Sequence, residues 1–240
     1  MIESKSSEPS HTIPMEWLNI MPEFLEKEMG FDLTSVELVR LAKELQHNSE
    51  RPFVSFEHFA AQLSSKIAVH ETYFLRHHEQ FDWLENVWAH EILKLKKYSG
   101  EVRILSAGCS SGEEPYSIYA HLMPIFERYG VRLVVDAVDV ANSVLDIARQ
   151  GLYGLWSLRG VNVEQERWLQ VRSRVVEVKE WVKNGVNFSQ HNLLRPFKTQ
   201  QRYDLVLCRN VMIYMHPDAV RNIYTHLMNV LAPSGFIMPG

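Results

Sequence analysis

The stretch Val102–Ala107, followed by Gly108-Cys109-Ser110-Ser111-Gly112 and Glu113-Glu114-Pro115-Tyr116-Ser117, constrains the fold more than any other part of this chain. The apolar run is too short for a helix and reads as a buried strand. The turn of small residues opens directly into a helical pattern with Ile118, Leu122 and Ile125 on one face. The alternation repeats downstream. Arg132–Val138 is a second apolar run ending at Asp139, and Ser143–Gln150 is a helix closed by Gly151. Val186–Ser189, Tyr203–Leu207 and Gly235–Met238 are further strands, with a helix from Asp218 to Val230 before the last. Strands alternating with helices predict an α/β, doubly wound, Rossmann-like parallel sheet covered on both faces.

One stretch breaks the alternation. Residues 168–185 alternate bulky and polar side chains (Val176, Glu177, Val178, Lys179) and contain the turn signal Asn184-Gly185, which together predict a small antiparallel β-hairpin insert. Such an insert serves equally as a partner-docking surface or as a cover for a sheet edge. Upstream the pattern is helical. Residues 1–14 are polar, carry Pro9 and Pro14, and read as a mobile leader without signal-peptide features. From Met15 to Lys97 apolar residues recur at helical spacing: Phe24, Leu25, Met29, Leu33; Val36, Val39, Leu41, Leu45; and Phe56, Phe59, Ala60, Leu63, Ile67. Ser55 is placed to cap the last of these helices. The expected organisation is an all-α N-terminal subdomain over 15–97, a basic hinge containing Lys94, Lys96 and Lys97, and an α/β domain over 98–240.

Composition narrows the function. Cys109 and Cys208 are the only cysteines, too few for a disulfide scaffold and in keeping with a reducing, cytoplasmic setting. No apolar run reaches the roughly 18–20 residues of a membrane helix. The formal charge of −4 argues against nucleic acid as a partner. That charge is uneven: residues 1–100 hold 10 Lys+Arg against 16 Asp+Glu, whereas 101–240 hold 15 against 13.

The turn after the first strand has two glycines, not the three of a dinucleotide fingerprint. Glu113 and Glu114 sit where a pyrophosphate would be repelled and a cationic ligand welcome; the same glutamates also suit a helix N-terminus through the macrodipole. Asp139 lies where an acidic side chain can hold both hydroxyls of a ribose, although a turn or N-cap aspartate is an equal reading of that position. A ligand with a ribose, no phosphate and a positive centre is S-adenosylmethionine. No set of residues points to a metal, and His70, His77 and His78 read as surface or core histidines.

Four segments, in order, then resemble the CheR family of S-adenosylmethionine-dependent methyltransferases: Ala68–Arg76 (AVHETYFLR), Ser106–Ser117 (SAGCSSGEEPYS), Asn187–Leu194 (NFSQHNLL) and Leu207–Tyr214 (LCRNVMIY). The resemblance implies a class I methyltransferase sheet and transfer of a methyl group to glutamate carboxylates of chemoreceptor cytoplasmic regions, giving methyl esters and S-adenosylhomocysteine. It implies that His70, Thr72, Arg76, Arg209 and Asn210 line the cofactor and its methyl group. Glu114 would hold the methionine end with Gly108 leaving room for it, Asp139 the ribose, and Asn192 and Leu193 the adenine. Arg76 and Tyr214 would stand beside the reacting centre as catalytic residues.

The chain also departs from the family pattern. His70 replaces an asparagine. The helix at Thr34–Gln46, basic in relatives that dock on receptors, carries Arg40 and Lys43 against Glu37 and Glu44. The short insert is expected to work without a receptor-tail pentapeptide tether. The sequence stops just after its fifth strand, where sheets of this type usually continue with two more. Two other readings accompany these departures: the same chemistry on a protein carboxylate of another signalling system, and a cofactor-binding regulatory module without turnover.

Overall fold

The structure is a computed structural model that describes residues 13–30, 35–48, 53–67, 72–96, 100–159, 161–162 and 166–239. Two compact units emerge, residues 1–69 with 214–220, and residues 70–213 with 221–240.

The first unit contains α1 (Met15–Met29), α2 (Ser35–Asn48) and α3 (Phe56–Ile67). Its core is Ile13, Met21, Leu25, Leu38, Ala42, Leu45, Phe59, Ala60 and Leu63, ringed by Trp17, Phe24, Phe53 and Phe56. Ser55 Oγ accepts the His58 N–H at 3.2 Å, so the cap expected for α3 is made. Of the stripe expected on α2, Leu45 is buried and Leu41 packs against the core, whereas Val39 is exposed and Leu38 and Ala42 are buried in its place. Ile13, assigned by sequence to a leader, is buried in this core. Residues 1–12, Leu33, and the side chains of Met29, Val36 and Ile67 lie outside the description.

The second unit begins with α4 (His78–Trp83), a π-helical turn (Leu84–Trp88) and α5 (Ala89–Lys96). Phe81, Leu84, Trp88, Ile92 and Leu93 bury themselves in the same core as Val102 and Ile104. The described residues 72–96, expected with the N-terminal helices, therefore group with the sheet. The elements that follow are β1 (Glu101–Ala107), α6 (Glu113–Arg128), β2 (Arg132–Asp139), α7 (Asn142–Gln150) and β3 (Leu152–Gly154). A 3₁₀ turn (Leu155–Leu158), β4 (Leu169–Arg172), β5 (Val175–Val178), α8 (Glu180–Lys183) and β6 (Val186–Gln190) come next. The chain continues through β7 (Tyr203–Cys208), a second 3₁₀ turn (Met212–Tyr214), α9 (Pro217–Val230) and β8 (Leu231–Pro239).

The main sheet has the order β6-β2-β1-β7-β8 with every neighbouring pair parallel. All six residues of β7 are buried, as a central strand covered on both faces requires. This is the doubly wound sheet expected. The β insert differs in its turn. β4 and β5 pair antiparallel with Arg172 opposite Val175, so the tight turn is Ser173-Arg174, with Ser173 at φ 57°. β3 adds to β5, making three strands. Asn184-Gly185 instead closes α8, where the Gly185 N–H bonds the Val182 carbonyl at 3.0 Å. A glycine after a helix and a glycine in a hairpin are the same signal in sequence. Gly185 is also required by packing, since a Cβ there would lie 2.0 Å from the Tyr119 ring. Among the described residues no helix is long and apolar enough to cross a membrane.

Candidate active site

β1 lies between β2 and β7, and the chain winds away from it in both directions. In open α/β sheets ligands bind outside the carboxyl ends of the strands at such a switch point. Here β1 ends in a turn anchored to β2: the N–H groups of Gly108 and Cys109 both donate to the Val138 carbonyl, at 2.8 and 3.0 Å. Gly108 has φ 77° and Gly112 φ 92°. A Cβ at Gly112 would meet Ala148 Cβ at 2.8 Å and Phe188 Cζ at 3.0 Å. Gly112→Ala is accordingly expected to lose about 2–3 kcal/mol through strain and overpacking. Urea unfolding checks this; an unchanged midpoint would show that the turn relaxes freely.

The two glutamates opening α6 part company. Glu113 is only 2% exposed. Its carboxylate accepts the hydroxyls of Ser111 at 2.7 Å and Ser157 at 2.9 Å, and burial raises its pKa. Buried and tied to two serines, it is not the exposed acid that a screen against phosphate at the helix mouth requires. Glu114 Oε1 accepts the Ser106 hydroxyl at 2.7 Å and Oε2 pairs with Arg209 Nη1 at 3.0 Å. Ser106, a polar residue inside the buried run of β1, is explained by that bond and went unnoticed in the sequence.

Asp139 ends β2 and is buried. Its Oδ2 accepts the Ser110 N–H at 2.9 Å and its Oδ1 the Ala141 N–H at 3.0 Å. It is thus a turn aspartate, yet a carboxylate has about four lone-pair sites and these bonds use two. Its carbonyl accepts the His191 N–H at 2.9 Å, which brings the end of β6 to the same place. There Asn192 Oδ1 accepts the Leu194 N–H at 2.9 Å, and the carbonyl of buried Leu193 bonds His226 Nδ1 at 2.9 Å.

β7 delivers Arg209, whose side chain is 3% exposed. Beyond Glu114 it donates through Nη2 to the Arg76 carbonyl, and its carbon lies 5.6 Å from the Phe81 ring centre. Its buried Nε has no hydrogen-bond partner among the described residues. Arg76 is half-buried, in the segment that starts at half-buried Thr72. That segment carries two left-handed residues, Leu75 at φ 56° and His77 at φ 63°, and Ser110 (φ 50°) and Asn210 (φ 56°) add two more at the same strand ends. Strained backbone concentrated in one place is a mark of functional sites.

The structure therefore brings Arg76, Gly108, Glu114, Asp139, Asn192, Leu193, Arg209 and Asn210 to the carboxyl ends of β1, β2, β6 and β7. His70 lies outside the described residues. Tyr214 ends a 3₁₀ turn grouped with the first unit, and its side chain lies outside the description.

A family model described as "CheR methyltransferase, SAM binding domain" matches residues 70–240. Relatives include a chemotaxis protein methyltransferase of Borreliella burgdorferi, 34% identical over 188 residues, which are 75% of this chain and 66% of that protein. Another is chemotaxis protein methyltransferase 1 of Vibrio cholerae, 32% identical over 58% of this chain and 53% of that one. A third is the "Probable biofilm formation methyltransferase WspC" of Pseudomonas aeruginosa, 34% identical over 74% of this chain and 42% of that one. The chain thus spans less than two thirds of the length of each. The matched region begins at the segment bearing Thr72 and Arg76 and takes in every strand end just described, and by that match the chain belongs to the CheR methyltransferase family.

Proposed function

We propose that this chain transfers the methyl group of S-adenosylmethionine to glutamate carboxylates of chemoreceptor-type signalling proteins in the cytoplasm. The observation that carries the reading is the buried Glu114–Arg209 pair at the switch point, with Asp139 beside it at the end of β2. The residues fit the cofactor. Asp139 has acceptor sites left for the two ribose hydroxyls, and Glu114 and Arg209 offer opposite charges to an amino-acid zwitterion. The Gly108–Gly112 turn has no bulky side chain. Asn192 and Leu193 would flank the adenine, Asn210 would line the cleft near the methyl group, and Thr72, Arg76 and His70 would belong to the segment that reaches the cofactor. The Ser173-Arg174 turn is tight, which supports a reading without a receptor-tail tether.

The bound cofactor would supply an electrophilic sulfonium methyl group. A glutamate side chain, with a pKa of about 4.3, arrives ionised, so the protein needs no general base. Its work is to align the carboxylate and exclude water. Half-buried Arg76 is the guanidinium that would meet the incoming carboxylate, at the end of a segment that Arg209 holds through the Arg76 carbonyl. Asp139→Ala is expected to weaken binding of S-adenosylhomocysteine at least about tenfold, the loss of charged hydrogen bonds. Calorimetry reads this directly, and wild-type affinity in the variant would remove Asp139 from the site.

The match to a biofilm-formation methyltransferase at the same 34% identity favours one second reading, the same chemistry in another signalling system. Incubation with tritiated methyl donor and cognate cell extract separates them. A base-labile ester on a membrane receptor supports the first, and label on a soluble protein the second. Cofactor binding with no label on any protein would favour a regulatory module.

A further inference from the structure

We propose that Glu113 is a positioning residue: its buried side chain and main chain clip the Gly108–Gly112 turn, the Leu155–Leu158 turn and the Phe74–Arg76 segment into one unit, and so set the place of Arg76. The inference rests on the proposed function only in taking Arg76 as a group that meets the cofactor. Three links converge. One carboxylate oxygen accepts the hydroxyl of Ser111, inside the turn after β1. The other accepts the hydroxyl of Ser157, whose carbonyl in turn accepts the Phe74 N–H at 3.0 Å. The Glu113 carbonyl accepts the Ser117 hydroxyl at 2.7 Å, and Ser117 Oγ accepts the Leu75 N–H at 3.1 Å.

Phe74 and Leu75 thus spend their N–H groups on the two serines that Glu113 holds, immediately before Arg76. The packing agrees: the Phe74 ring sits edge-on to Tyr153 and Trp168, at 5.0 and 5.1 Å, and the Tyr153 hydroxyl donates to the Ser111 carbonyl at 2.7 Å. A buried acid with no cation to pair with among its recorded partners costs more than an apolar residue would, unless its geometry is put to use. Leu75 at φ 56° is a conformation that does not persist without such support.

The test is a double-mutant cycle with S-adenosylhomocysteine as probe, run beside amide hydrogen exchange on the unliganded protein. Glu113→Ala is expected to speed exchange in residues 72–77 and to weaken S-adenosylhomocysteine binding about tenfold. Glu113→Gln, which can still bond both hydroxyls, is expected to recover most of that affinity. In an Arg76→Ala background Glu113→Ala should cost nothing further, because its effect passes through Arg76. Equal loss in both backgrounds, or unchanged exchange in 72–77, overturns the proposal. Should Glu113→Ala fail to fold, Ser157→Ala, which removes the hydroxyl by which the Glu113 carboxylate holds the Leu155–Leu158 turn, answers the same question. A wild-type protein that binds no S-adenosylhomocysteine would sink the proposed function instead, with the exchange measurement still deciding the clip.

Discussion

Arg209→Ala is expected to destabilise the second unit by about 3–5 kcal/mol, the cost of breaking a buried ion pair from one side. The Arg209 side chain is 3% exposed and that of Glu114 16%. The substitution leaves the Glu114 carboxylate with a single serine hydroxyl and strips the Arg76 carbonyl of its donor. Lys27, paired with Glu23 on the open face of α1 with both side chains 70% exposed, is the control: Lys27→Ala should leave the unfolding midpoint unmoved. The double variant Arg209→Leu/Glu114→Leu should regain much of the loss, since removing both charges also removes both desolvation penalties. Urea midpoints at constant m-value read all three. A double variant no better than the single would show that Arg209 acts through packing on Phe81.

The second large effect is a stability that declines on the alkaline side. His121, on α6, donates through Nδ1 to Glu85 and bonds Glu166 at 3.2 Å through Nε2, and Trp168 Nε1 also donates to Glu166. Burial works against the charged imidazole, but the hydrogen bonds and charges of Glu166 and Glu85 outweigh it and lift its pKa to about 9. A group whose pKa is raised on folding contributes fully below its unfolded value near 6.5 and loses that contribution as pH rises through the folded value. The interval corresponds to about 3 kcal/mol. The stability gap between wild type and His121→Gln should therefore shrink from pH 6.5 to beyond pH 9. A gap that stays constant over that range would mean that His121 is neutral in the folded protein.

Both features depend on partners far apart in the chain, and that is why neither was legible. Arg209 and Glu114 are 95 residues apart, and His121 is 36 and 45 residues from its glutamates. Periodicity and capping report forces that act within a few residues. They sufficed for the strands of the main sheet, for the Ser55 cap and for the αL glycine Gly151 that ends α7. They misassigned Asn184-Gly185, where hairpin and helix end share one signature, and Val39, which lies exposed next to buried Leu38 on α2. Glu113 looked like its neighbour Glu114 because the helix dipole favours an acid at either position. Only the fold turns one toward the switch point and the other into the core. The proposed site residues were singled out for a different reason, the ordered motifs around them.

The placement of β7 beside β1 also has a consequence for synthesis. The Arg103 N–H that meets the Asp204 carboxylate waits for a residue 101 positions later. At roughly 5–20 residues per second, β1 emerges from the ribosome roughly 5–20 s before the strand that covers its second edge. During that time an apolar strand, the middle one of the finished sheet, is open to any passing strand. Variants that slow the docking of β7 should therefore cost soluble yield in cells before they cost anything measurable in the purified, folded protein.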